Sequence, residues 1–167
     1  MFIQTEPCQY CGNQQVEEPW TLCQDCRRQY AKTLHSLRHN MQLLQRVARH
    51  EYKLTDPGNG GKPKGGEAPA PVNMHAIDLL DEAESLLQDA WYDAGAVWSD
   101  KWQRLIPRMQ SHLAWLCQAT HAGRFLRQLI RMNQRIMPLV DRRPRTRRII
   151  GVCPECKREI QAAKGES

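Results

Sequence analysis

The sequence predicts an all-α protein: a helical bundle with an N-terminal four-cysteine zinc-knuckle module and a C-terminal half zinc knuckle. Three observations predict it. Six of the seven cysteines stand in Cys-x-x-Cys pairs, at Cys8/Cys11, Cys23/Cys26 and Cys153/Cys156. Between residues 27 and 140 the apolar residues recur at steps of three and four, the spacing of one helix face. No stretch outside the cysteine modules reads as a strand. The 167 residues divide into a zinc-knuckle module over 1–26, a helical bundle over 27–141 with a Gly/Pro-rich loop at 55–71, and a basic arm with a knuckle over 142–167.

The first module is the strongest signal. Two residues between cysteines let a tight turn aim both sulfurs at one ion, and Gly12, after Cys11, tolerates a left-handed backbone. Cys23 and Cys26 follow eleven residues later. Four thiolates close a tetrahedron around Zn²⁺ with no open position, so Cys8, Cys11, Cys23 and Cys26 form a structural site. A helix N-terminus at the second pair, with Arg27 and Arg28, offsets the net negative charge of such a centre. Disulfides fit less well: no secretion signal accompanies the cysteines, and a reducing compartment favours metal binding.

The first helix spans 27–53. Tyr30, Leu34, Leu37, Met41, Leu44 and Ala48 make one apolar seam along it. The second spans 73–92, capped by Asn73, and buries Ala76, Leu79, Leu80, Ala83, Leu86, Leu87 and Trp91. Gly95 ends that pattern. Trp98, Trp102, Leu105, Met109, Leu113 and Leu116 give a third helix, which Pro107 kinks or restarts. Thr120 caps a fourth, running to about Val140, with Phe125, Leu126, Leu129, Ile130, Ile136 and Met137 inside.

The last pair has no partner pair. Three accounts stand: the chain is cut before the partner, another group or subunit completes the site, or Cys153 and Cys156 carry no metal. Cys117 and His121, four apart, are the best internal candidates, against a plainer reading as a buried thiol and a helix-junction residue.

Charge is strongly segregated. The net charge is +6, which favours polyanionic partners. Residues 76–100 hold seven acids and no Lys or Arg, whereas 101–135 hold seven Lys/Arg and no acid. Arg28, Lys32, His35, His39, Arg46, Arg49 and Lys53 form a stripe opposite the apolar seam, suited to tracking phosphates or to pairing with the acidic helix. Arg124, Arg127, Arg131 and Arg135 form a shorter one. Arg142, Arg143, Arg145, Arg147 and Arg148 crowd a Pro-containing segment, in the manner of arms that lie along DNA, or serve as a solvated linker.

Residues 1–4 have no basic or apolar signal-peptide character, and no run of apolar residues spans a membrane. A cytoplasmic protein is expected. No phosphate-binding loop, dinucleotide fingerprint, His-Glu-x-x-His or nucleophile elbow is present, so no enzyme is expected. His35 and His39, four apart, lack a third ligand nearby.

The order of parts resembles a family of proteins from actinobacteriophages and related prophages. The segments that carry the likeness are the cysteine-pair module and long helix, Gly66-Glu67-Ala68-Pro69-Ala70-Pro71-Val72-Asn73, Leu79-Leu80-Asp81-Glu82, His112-Leu113-Ala114-Trp115-Leu116 and Gly151-Val152-Cys153-Pro154-Glu155-Cys156. The resemblance implies metal ligands at Cys8, Cys11, Cys23 and Cys26 and half a site at Cys153 and Cys156. It also implies that 67–72 is an ordered lead-in to the second helix. Many members continue into a second cysteine pair and a helix-turn-helix DNA-binding domain, neither of which follows here. The expected function is a zinc-binding nucleic-acid-binding or transcription-regulating protein, with DNA the expected partner. The alternative is a zinc-stabilised adaptor that engages a host protein.

Overall fold

The computed structural model describes residues 5–49, 73–141, 148–152 and 159–162. The 55–71 loop, Lys53, Arg142, Arg143, Arg145, Arg147, Cys153 and Cys156 lie outside the described residues. Two short strands, β1 (Thr5–Pro7) and β2 (Gln15–Glu17), pair antiparallel with Glu6 opposite Val16. Five helices follow: α1 (Gln24–Ala48), α2 (Met74–Asp93), α3 (Trp102–Ser111), α4 (Leu113–Gln118) and α5 (Ala122–Val140). Strands β3 (Arg148–Val152) and β4 (Glu159–Ala162) form a second antiparallel pair. Arg148 therefore belongs to a strand rather than to an irregular arm. Both hairpins enter a Cys-x-x-Cys segment from the last residue of a strand, Pro7 before Cys8 and Val152 before Cys153.

α1 is the spine. Its 25 residues span about 37 Å. The whole expected seam is buried: Tyr30, Leu34, Leu37, Met41, Leu44 and Ala48. α2 and α5 pack on it and on each other, and α3 and α4 close one end. Across the α1–α5 contact runs one polar layer. Asn40 Nδ2 donates to Asn133 Oδ1 at 2.8 Å, and Asn133 Nδ2 donates to Ser36 Oγ at 3.0 Å. Only one sliding position of the two helices satisfies both bonds, so the layer fixes their register.

Helix ends follow sequence chemistry, with two departures. Asn73 caps α2 as expected, its side chain accepting from the Ala76 N–H. Gly95, at φ +93°, ends α2. There the Ala96 N–H bonds back to Trp91 O and the Gly95 N–H to Tyr92 O, the paired closure that a left-handed residue after a helix permits. The first departure is the third helix. It begins at Trp102, runs through Pro107 and breaks at His112 (φ −115°, ψ 33°) into α4. Trp98 thus precedes the helix and is 44% exposed, not inside it. The second is α5, which starts after His121 with no side-chain cap; Thr120 instead offers its carbonyl to Gln9. Along α5, Met132 is buried whereas Met137 is exposed.

Candidate metal centre

The β1–β2 hairpin builds one half of the site. Cys8 N–H donates to Gln14 O at 2.8 Å and Gly12 N–H to Cys8 O at 2.9 Å. Gly12 takes φ +68°, the left-handed conformation expected after the second cysteine of the turn. The start of α1 builds the other half. Cys23 is the extended residue at the helix boundary and Cys26 sits in the first turn, so the cysteine module runs into α1 without a junction at 26/27.

The four sulfurs converge. Those of Cys8, Cys11, Cys23 and Cys26 all lie within 4.8 Å of one another, and Cys11 and Cys23 are 3.8 Å apart. A tetrahedral ion held at about 2.3 Å by four sulfurs needs edges of about 3.8 Å. All four thiols are free, with no disulfide among them. Cys8, Cys23 and Cys26 are buried and Cys11 is partly so. The group is therefore able to hold a metal ion, and among the described residues it is the one such cluster.

Electrostatics at the sulfurs come mainly from burial and from the backbone. Burial raises the Cys8 thiol, but the N–H groups of Cys11, Cys23 and Tyr10 overcome this and hold it at about 6. The Cys23 N–H reaches Cys8 Sγ at 3.2 Å. Burial pushes Cys23 up, and the Cys8 and Cys11 thiols add to the rise. Cys26 is pushed up further, again by burial and then by its sulfur neighbours. A divalent cation displaces the thiol protons and offsets the mutual repulsion of the four thiolates so formed. The expected help from Arg27 and Arg28 takes another form. The Arg27 guanidinium stacks 4.0 Å from the Trp20 ring centroid, and Arg28 pairs with Asp25 at 3.6 Å on the surface.

A set of contacts that the sequence does not announce seats this module on the helical core. Gln9 Nε2 donates to Thr120 O at 2.9 Å, and Gln9 Oε1 accepts from the Gly123 N–H at 3.2 Å. Arg127 donates to Gln9 O at 2.9 Å. The Thr21 hydroxyl donates to Cys117 O at 2.9 Å. A Cβ at Gly123 would sit 2.6 Å from the backbone C, O and side-chain Cβ of Gln9. The only sequence signal for this contact is a glycine at the start of a helix, which costs helical stability unless something must come close. Leu22, Cys23 and Cys26 belong to the same buried core as the seam of α1.

The remaining predicted residues separate into two groups. On α1, Arg28, Lys32, Arg46 and Arg49 are exposed, with His35, Arg38 and His39. On α5, two of the four stripe arginines bond to other parts of the protein, Arg127 to the cysteine module and Arg135 to Glu82 of α2, and all four are exposed. Cys117 is fully buried, and burial pushes its thiol up to about 12. His121 Nδ1 bonds Asp93 at 2.7 Å. These two take the plainer roles, a core thiol and a helix-junction residue. No described helix is long and apolar enough to cross a membrane. Comparison of the chain with protein-family models, curated proteins and solved structures returns no match.

Proposed function

We infer that this chain is a nucleic-acid-binding protein in which a structural Zn²⁺ at Cys8, Cys11, Cys23 and Cys26 fixes a helical bundle, and α1 presents a basic face to duplex DNA. Zinc is favoured by the donor set. Four soft thiolates in a closed tetrahedron suit Zn²⁺ or a single iron, and a fully coordinated site without an open position suits a structural ion. Filled-shell Zn²⁺ is colourless and iron held by four thiolates is not, so the visible spectrum separates them.

One observation carries the nucleic-acid reading: α1 and its C-terminal end carry a row of exposed cations, Arg28, Lys32, Arg38, Arg46 and Arg49. Among the described residues, the acidic helix α2 forms ion pairs through Glu82 with Arg135 and through Glu84 with Lys101, and Asp93 is hydrogen-bonded to His121. The α1 face from Arg28 to Arg49 is exposed and runs for about 32 Å, the length of roughly one turn of duplex. Arg142, Arg143, Arg145, Arg147 and Arg148 add phosphate contacts beyond the described helices. The resemblance of the chain's order of parts to actinobacteriophage proteins supports the same reading.

The test is retention of a short duplex as a function of salt. Each phosphate contact contributes roughly one unit to the slope of log affinity against log salt. Replacing Lys32, Arg46 and Arg49 with Ala is expected to lower that slope by about two to three units, equally for all sequences. Native protein that fails to bind at about 50 mM salt would remove this reading.

A second reading is favoured by an aromatic surface. Trp98 and Trp115 are 44% and 51% exposed, with Tyr92 and Val97 exposed close by in sequence. Trp91 lies beneath them, its ring 6.1 Å from Trp98 and 6.2 Å from Trp115. Exposed tryptophans over a rigid floor are the chemistry of protein-interaction hot spots, as an adaptor engaging a host factor would need. Trp98→Ser with Trp115→Ser separates the readings: DNA retention stays unchanged if α1 is the contact surface.

A further inference from the structure

A cleft of about 390 Å³ opens where the cysteine module, the start of α1 and α4 meet. That volume falls within the range of small-ligand sites. Trp20 comes from the cysteine module, Arg27 and Arg28 from α1, and Leu113, Ala114 and Cys117 from α4. Among the described residues, no acidic side chain lines it. Its charged lining groups are the guanidiniums of Arg27 and Arg28.

The two arginines differ. Arg28 is exposed and paired with Asp25. Arg27 sits over Trp20, its guanidinium carbon 4.0 Å from the ring centroid, and its Nε is buried with no hydrogen-bond partner among the described residues. A buried cationic N–H without an acceptor is costly. Stacking on Trp20 stabilises the guanidinium face but does not satisfy an in-plane N–H. The edge of a guanidinium is a fork that fits the two oxygens of a carboxylate. Gln24 adds one further polar side chain, and Trp20, Ala31, Leu113 and Ala114 make the rest of the wall apolar. Cys117, with its thiol protonated, adds to that wall and is no nucleophile.

We propose that this cleft binds a small amphipathic carboxylate, its anion on Arg27 and an apolar body the size of a naphthyl or indole ring against Leu113 and Ala114. The proposal does not depend on the nucleic-acid reading: its anion rests on Arg27, which is not among the α1 cations assigned to the duplex. It assigns a ligand to the junction at which the cysteine module meets the helices.

Naphthalene-1-acetate and naphthalene-1-acetamide share one body and differ in charge, so they make the test on the full chain. Amide NMR shifts locate binding and give affinities. The acetate is expected to shift Gln24, Arg27 and Ala114, and to bind about tenfold more tightly than the acetamide. Arg27→Met keeps the apolar stem and is expected to erase that ratio. Ala114→Asp, at an exposed position, is expected to weaken the acetate and spare the acetamide, and it serves equally should Arg27→Met not fold. The proposal is overturned by acetate that moves none of these signals at about 10 mM, by equal affinity for acid and amide, or by a ratio that survives both substitutions.

Discussion

Gly123→Ala tests whether the cysteine module is seated on α5 in the way described. Ordinary helix physics predicts a gain, because Ala in place of Gly stabilises a helix by at most about 1 kcal/mol. The structure predicts a loss. The new Cβ meets three Gln9 atoms at 2.6 Å, and two of them are backbone, which cannot rotate away. To restore ordinary contact the loop carrying Cys8 and Cys11 must retreat by roughly 1 Å. Overpacking of this kind costs about 1–3 kcal/mol. The retreat also strains the bonds from Gln9 to Thr120 and Gly123 and from Arg127 to Gln9, each worth about 1 kcal/mol. Steric and hydrogen-bond terms together outweigh propensity, leaving a net destabilisation of about 2 kcal/mol. In a chain of this size that lowers Tm by roughly 4–8 °C. Circular dichroism of the metal-loaded protein at a fixed scan rate reads it. Gln9→Gly removes only one of the three clashing atoms and is expected to rescue Gly123→Ala partly at best. A Tm equal to or above native for Gly123→Ala would refute the seating, since propensity alone would then be acting.

Two further outcomes are expected. Asn133→Ala leaves Asn40 buried without its partner and costs about 1–3 kcal/mol in denaturant unfolding, whereas the Asn40→Leu/Asn133→Leu pair regains most of it, because two apolar groups leave nothing unsatisfied; equal losses in single and double variants would speak against the polar layer. In metal-free protein, thiolate absorbance near 240 nm is expected to show one titration with a midpoint of about 6, from Cys8. The sign follows from the direction of the shift. Cys8 is depressed below the ordinary thiol value of 9.0, so its contribution to stability is full above about pH 9 and is lost as the pH falls through about 6. A first thiolate appearing only above pH 8 would contradict the backbone N–H cradle.

Sequence periodicity located the long helices because burial and period coincide on them. Every seam residue of α1 is buried, and Asn73 and Gly95 mark both ends of α2 through local chemistry that any short window contains. The cysteine tetrad was legible for the same reason: ligand type and spacing are local. Sequence missed what depends on distant partners. Gln9, Thr21 and Arg127 are ordinary polar residues until the fold brings them to the α4–α5 junction, more than ninety residues away in sequence. Trp98 misled because an apolar residue four before Trp102 fits a helical face, whereas the helix starts only at Trp102. Of the α5 arginines that read as a phosphate stripe, Arg127 and Arg135 bond at the surface to the carbonyl of Gln9 and the carboxylate of Glu82, contacts that the sequence does not announce.

The metal centre is tested most directly by metal stoichiometry and X-ray absorption on the full chain and on Cys8→Ser. The expected result is a zinc edge with four sulfur neighbours at about 2.3 Å, and a loss of one zinc per chain in Cys8→Ser together with unfolding of the cysteine module. Folded native protein without bound metal, or a zinc whose neighbours and stoichiometry are unchanged by Cys8→Ser, would contradict it.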